Sequence, residues 1–196
     1  MFILLCLILL FIYLIPTYVK PRVIKSFITE EEREHIIRKA KKKLEVSTVT
    51  ENGKLDKKVR DSETAWLNVS DPIVKRVIEK CASLTDRPLK NCEHLQVLRY
   101  KPGGHYKPHQ DTFSDVRGNK RMYTVILGLN DNYRGGETEF PNLNKKYKLE
   151  AGDALFFHTL ANYELMTSKA LHGGLPVKSG EKWICNLWVH KYPYNS

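Results

Sequence analysis

Tyr100 to Phe113 reads YKPGGHYKPHQDTF, with two histidines (His105 and His109) and one aspartate (Asp111) set among glycines and prolines. That composition cannot sustain a helix. In an extended strand, residues i and i+2 point to the same side. His109 and Asp111 can therefore direct a nitrogen and an oxygen at one point, which supplies two donors of a metal site. A third donor would come from a strand folding back beside the first, and the downstream histidines are His158, His172 and His190. His158 ends the apolar run Leu155-Phe156-Phe157, where a packed or solvent-facing imidazole is the ordinary outcome. His172 stands before Gly173 and Gly174, which leave the backbone room, and Lys182 follows in KSGEKWICNLW. His105 reads as a loop residue.

A lone H-x-D is weakly specific; H-x-D, a long gap and a histidine trailed by a lysine is a much stronger pattern. Two imidazoles and a carboxylate on one face leave coordination positions open, the arrangement of non-haem Fe(II) oxygenases. A lysine at the far end of such a pocket would take the distal carboxylate of 2-oxoglutarate through a charge-assisted hydrogen bond.

The elements that would position these residues fall into two groups. Thr29-Glu30-Glu31-Glu32 is a capping box opening a helix whose apolar positions are Ile36, Ile37, Ala40 and Leu44. A second helix begins at Asp71 with Pro72 in its first turn, and Ile73, Val74, Val77, Ile78 and Cys81 form its buried stripe. Between them, Asn52-Gly53 marks a turn, and residues 57–67 read as strand and loop. From Leu95 onward, the short runs LQVLRY, YTVILGL, KYKL, ALFFH and KWICNLWVH alternate with glycine-containing turns. Helices first and then antiparallel strands predict an α+β, mainly β chain with a sandwich or jelly-roll core.

The 196 residues suit one catalytic domain, and no repeat or low-complexity tract interrupts them. The net charge of +10 is spread along the chain and interleaved with acids, so no nucleic-acid partner is expected. Met1 to Val19 carries no charged side chain, and as a helix would extend about 28 Å, near the thickness of a bilayer core. It lacks a basic n-region and a small-x-small cleavage site, so an uncleaved single-pass anchor over 1–19 ahead of a domain over 20–196 is expected, with a cleaved signal peptide as the rival. Lys20, Arg22 and Lys25 would keep the domain cytoplasmic by the positive-inside rule. Of the four cysteines, Cys6 lies in the apolar run; Cys81 and Cys92 could form a bridge, and the absence of CxxC argues against structural zinc.

The stretches VRDSETAWL (59–67), LQVLRYKPGGHYKPHQD (95–111), GGETEFP (135–141) and LHGGLPVKSGEKWICNLWVH (171–190) resemble the prolyl 4-hydroxylases among the Fe(II)/2-oxoglutarate dioxygenases. The likeness extends over nearly the whole chain after the apolar run and is greatest to single-domain viral, algal and plant-type enzymes and to the collagen enzyme's catalytic domain. It implies a double-stranded β-helix flanked by N-terminal helices. It implies that His109, Asp111 and His172 bind iron and that Lys182 and Tyr100 hold 2-oxoglutarate, with Thr138 and Trp188 lining that pocket. Arg60 and Ser62, in a loop over the site, match peptide-contacting positions, as do Glu93, Arg121 and His190, while Tyr106 faces the substrate. The family's needs would be Fe(II), 2-oxoglutarate, O2 and L-ascorbate, and its partner a proline-rich or collagen-like peptide. An endoplasmic-reticulum lumenal domain on a type II anchor fits that function, against the charge rule. Ordinary readings stand beside these: Trp188 as core, Arg60 as a surface arginine, and Gly135-Gly136 as a hairpin turn. Gly173, Gly174 and Gly128 depart from the family pattern in ways expected to alter the substrate groove. A related oxygenase acting on lysyl residues or nucleic acid, and a non-catalytic jelly-roll module binding metal or peptide, are the alternatives.

Overall fold

The computed structural model describes residues 15–49, 55–112 and 118–194. Fourteen strands and two α-helices occur among them. In chain order they are β1 (Arg22–Ile24), α1 (Glu30–Ala40), β2 (Glu45–Val46), β3 (Arg60–Asp61), β4 (Glu63–Leu67), α2 (Pro72–Ala82), β5 (Leu95–Tyr100), β6 (His105–His109) and β7 (Arg121–Gly128), then β8 (Arg134–Gly135), β9 (Thr138–Phe140), β10 (Lys145–Tyr147), β11 (Ala154–His158), β12 (His172–Gly174), β13 (Val177–Ser179) and β14 (Lys182–His190). The seven-stranded sheet runs β1-β11-β7-β14-β5-β4-β2 and the five-stranded sheet β10-β9-β12-β6-β3, with β13 and β8 paired separately. The strand pairs are antiparallel.

Both helices begin where their capping residues place them. The Thr29 hydroxyl accepts from the Glu32 amide, and the Glu32 carboxylate accepts from the Thr29 amide. Glu32 is buried and also takes Arg76 Nε at 2.9 Å and Lys80 Nζ at 2.8 Å, so the cap ties α1 to α2. Asp71 caps α2 by accepting from the Ile73 and Val74 amides. Leu44 reaches the core from the turn after α1, not from the helix itself.

Alternation along the strands separates two cores. Leu95 and Val97 of β5, Val125 and Leu127 of β7, and Trp183, Cys185, Leu187 and Val189 of β14 pack with α1 and α2 on one face of the large sheet. Leu98, Ile126, Leu155, Phe157 and Ile184 face the other way and join Phe140 of β9 and Val177 of β13. On β14 the even positions therefore carry Lys182, Asn186, Trp188 and His190 to the inner side. A strand whose two faces are both buried reads as continuous apolar sequence, which is why KWICNLWVH shows no simple amphipathic pattern.

The open question of a Cys81–Cys92 bridge is answered here, whereas the anchor expected over 1–19 lies mostly outside the described residues. Cys81 and Cys92 are free thiols; burial raises both, Cys92 to about 12, and they remain protonated. The N-terminal run falls mostly on residues 1–14, outside the described residues, while Ile15 to Val19 are irregular, consistent with Pro16 removing an amide donor and disfavouring helix just before it. Among the described residues no helix is long and apolar enough to cross a membrane.

Candidate iron and 2-oxoglutarate site

His109 is the last residue of β6 and His172 the first of β12, and the two are register partners. Asp111 lies just past β6. The ligand atoms of the three lie within 4.8 Å of one another. His109 Nε2 is 3.6 Å from Asp111 Oδ1, and His172 Nε2 is 3.5 Å from Asp111 Oδ2.

The other ring nitrogens fix the tautomers. His109 Nδ1 donates to the Lys107 carbonyl at 2.9 Å and His172 Nδ1 to the Ala170 carbonyl at 3.1 Å, leaving both Nε2 lone pairs aimed inward. Phe140 and Phe157 pack on the His172 ring, and Tyr106 stacks on His109 with centroids 3.7 Å apart. Burial pushes His172 down to about 4 against the opposing Asp111 charge, so the imidazole is neutral. Burial alone would raise Asp111, but His172, His109 and Arg121 hold it well below the usual carboxylate range. Two imidazoles and one ionised carboxylate are the donor set that suits Fe(II). These residues could hold the ion.

Gly173 makes this convergence possible. A Cβ there would lie 2.8 Å from the Tyr106 carbonyl oxygen and 2.9 Å from Pro108 N, so only glycine lets β12 lie this close to β6. Gly173 and Gly174 line an apolar dent beside His105 and Pro108, away from the cleft over the ligands. Gly128 likewise faces the Glu150 carbonyl, where a Cβ would meet it at 2.6 Å. Gly173 is thus needed for strand approach, and Gly128 for the close contact with residues 149–150.

Deeper in the barrel, Lys182 and Tyr100 are register partners, with Lys182 Nζ 5.2 Å from the Tyr100 ring centre. Both are buried, as is Thr138 on β9. Burial lowers the Lys182 ammonium to about 8, opposed by Glu137. A buried ammonium wants an anion. The Gly135-Gly136 pair does more than turn the chain, because a Cβ on Gly136 would sit 3.1 Å from Lys182 Cδ.

Over the ligands opens a cleft of about 190 Å³, lined by Arg60, Trp66, Tyr106, Arg121, Asn186 and Trp188 among others. An adjoining trough shares Thr48, Arg60, Trp66 and Gln96 with it. Trp188 Nε1 and Asn186 Oδ1 are buried without a hydrogen-bond partner, polar atoms left over at the cleft. Trp188 is not simple core.

The remaining expected residues divide into those at the cleft and those behind it. Arg60 lies on β3, not in a loop, because its backbone pairs with Tyr106 of β6. Its guanidinium sits over the Tyr106 ring at 4.7 Å and donates to Ser62 Oγ at 3.2 Å, so Ser62 supports Arg60 from beneath. Arg121 sits 3.9 Å over Trp188. Glu93 and His190 are buried behind it: Glu93 takes both Arg121 Nε at 2.5 Å and Nη2 at 3.0 Å, and meets His190 Nε2 at 2.7 Å. Burial raises Glu93, but His190 and Arg121 outweigh it and keep the carboxylate ionised.

Sequence reasoning missed Thr124 and Gln110, and a second contact made by Arg121. Thr124 Oγ1 donates to Asp111 Oδ2 at 2.7 Å. Arg121 Nη1 donates to the Asp111 carbonyl at 3.3 Å. Gln110 Nε2 donates to the Thr167 carbonyl at 2.9 Å and fixes the segment between the first two ligands. The alternation of YTVILGL, which puts Thr124 on the same face as Ile126, was the available signal for the first; the others depend on loop packing.

The family model of the 2OG-Fe(II) oxygenase superfamily matches residues 95–190. The chain is 38% identical over 188 residues to the "Putative prolyl 4-hydroxylase" of Acanthamoeba polyphaga mimivirus, covering 91% of this chain and 77% of that one. It is 36% identical over 202 residues to "Probable prolyl 4-hydroxylase 4" of Arabidopsis thaliana, covering 87% and 68%. Among solved structures, a viral collagen prolyl hydroxylase of Paramecium bursaria Chlorella virus-1, in its 2OG complex, superposes with a TM-score of 0.73 at 30% identity, covering 88% of this chain and 96% of that one.

Proposed function

Since the chain belongs to the prolyl 4-hydroxylase family of the 2OG-Fe(II) oxygenase superfamily, we propose that it converts peptidyl proline to 4-hydroxyproline, with 2-oxoglutarate and O2 giving succinate and CO2. The observation that carries this reading is the convergence of His109, Asp111 and His172 at one end of a barrel whose interior holds Lys182. Ferrous iron, when bound, supplies the activation of O2.

The protein's own residues bind, orient and exclude water. His109, Asp111 and His172 hold the metal, their geometry fixed by the Lys107 and Ala170 carbonyls and by Thr124. Lys182 and Tyr100 anchor the distal carboxylate of 2-oxoglutarate, and Thr138 and Trp188 close the pocket around it. Arg60, Tyr106 and Arg121 line the cleft for an extended peptide, with Ser62, Glu93 and His190 bracing the two arginines. A polyproline II segment suits a groove of aromatic and cationic side chains, since it is preorganised and leaves its carbonyls free to accept. Ascorbate serves to keep the iron ferrous. The uncharged run over 1–19 supports a single-pass anchor ahead of the domain, which this reading places on the lumenal side.

The test incubates the protein with (Pro-Pro-Gly)n or poly-proline, Fe(II), ascorbate and labelled 2-oxoglutarate. Peptide-dependent succinate with a gain of one oxygen on proline is expected. Turnover only with another substrate, or iron retention without turnover, overturns the proposal.

A further inference from the structure

We propose that the loop 161–166 is a membrane-interface contact that, together with the N-terminal apolar run, fixes the orientation of the domain on a bilayer bearing anionic headgroups. The inference rests on reading that run as an anchor and is independent of the substrate.

The start of the described chain is bolted to this loop. The Thr17 amide donates to Asn162 Oδ1 at 2.7 Å, and the Asn162 amide donates to the Thr17 carbonyl at 2.9 Å. Tyr18 Oη donates to the His158 carbonyl at 2.9 Å, and β1 then pairs along β11. Residues 1–14, MFILLCLILLFIYL, carry no charge, and only Ile15 and Pro16 separate them from the Thr17 bonds to the loop.

The loop presents apolar side chains at that point. Leu165 and Met166 are each 44% exposed, beside Ile15 at 46% and Val19 at 58%. Their display is built in. Tyr163 and Glu164 both adopt left-handed backbone (φ 57° and 55°), which side-chain-bearing residues disfavour. That geometry is held by the Lys191 ion pair with Glu164 at 2.6 Å, by Lys120 Nζ donating to the Glu164 carbonyl at 3.2 Å, and by the Ala161 amide donating to the Leu165 carbonyl. Exposed Lys20 follows Val19 directly and exposed Lys169 lies three residues beyond Met166, charges that would complement anionic headgroups. Exposed apolar side chains with lysines nearby in sequence, next to an uncharged segment, match an interfacial contact better than a protein groove. Because Gln110 bonds Thr167, the docked loop adjoins the segment that bears His109 and Asp111.

The three methionines, Met1, Met122 and Met166, provide the probes. The full chain, labelled with 13C at the methionine methyls, is placed in phosphatidylcholine–phosphatidylserine nanodiscs with and without spin-labelled lipid. Spin label is expected to broaden Met1 and Met166 well beyond Met122 of β7. Leu165→Glu should sharpen Met166 and leave Met1 broadened, with turnover of a short proline peptide in detergent unchanged. Broadening of Met1 with Met166 no broader than Met122 overturns the docking, as does Met166 unaffected by Leu165→Glu. Neither Met1 nor Met166 broadened overturns both docking and anchor. Absence of proline hydroxylation in the same samples bears only on the catalytic proposal.

Discussion

Asp111 is the residue on which the site turns, and it is held by neighbours that carry no metal themselves. Thr124 occupies one lone pair of Oδ2 and so orients the carboxylate for its two imidazole partners. Thr124→Val removes that bond with little change in volume, and the apparent affinity for Fe(II) is expected to fall roughly 10- to 100-fold with thermal stability nearly kept. Iron titration of turnover checks this, and an unchanged iron requirement would remove Thr124 from the role. Lys182 gives a pH signature. Its folded value of about 8 lies below the unfolded 10.5, so between those values the unfolded chain binds the extra proton. Its contribution to stability therefore rises with pH across that window, while the positive charge that would hold 2-oxoglutarate is lost. The KM for 2-oxoglutarate is expected to climb above about pH 8, and Lys182→Ala should raise KM at every pH and flatten the profile.

At the scale of elements, the pairing of β12 with β6 and the capping of α2 do separate jobs. Gly173 meets the Tyr106 carbonyl, whereas the nearest atom to a Cβ on Gly174 is Tyr106 N at 3.7 Å, an ordinary contact. Gly173→Val should push β12 from β6 and abolish metal binding by parting His172 from His109, while Gly174→Ala should retain it; metal titration of both variants discriminates. Asp71 caps α2 and also takes His35 Nε2 at 2.8 Å and Lys39 Nζ at 3.0 Å. Burial would raise its carboxyl, yet His35, Lys39 and the Val74 amide keep it well below the usual range. Asp71→Ala is expected to cost about 1–2 kcal/mol, measured by denaturant unfolding, with KM values unchanged. Because the folded value is depressed, this stabilisation is present at neutral pH and disappears only as pH falls below the unfolded 3.8.

For the whole molecule, ligands that bind only the barrel must stabilise it. A redox-inert divalent metal with 2-oxoglutarate, each at about 100 times its Kd, should each add about 2.7 kcal/mol by mass action. Differential scanning fluorimetry should show the rise in Tm for the native chain and lose its metal-dependent part in His172→Ala. A barrel indifferent to both ligands would contradict the assignment of its interior. The helices cover the far face of the large sheet, so α2 cap variants should shift the baseline Tm without altering the ligand-induced increment.

The local sequence determined the parts whose physics is local. Capping residues fixed the starts of α1 and α2, short apolar runs fixed the main strands, and the H-x-D spacing with a distant histidine and lysine pointed to a candidate metal and co-substrate site that the family resemblance completed. The support around them was beyond its reach. That Gly173 serves strand approach, that Glu93 and His190 brace Arg121, and that Arg60 lies in a strand over Tyr106 follow from pairings across the barrel between residues far apart in the chain. Side-chain periodicity reports which face of a strand a residue occupies; it carries no information on which strand comes to lie opposite, and only the closed tertiary structure decides that.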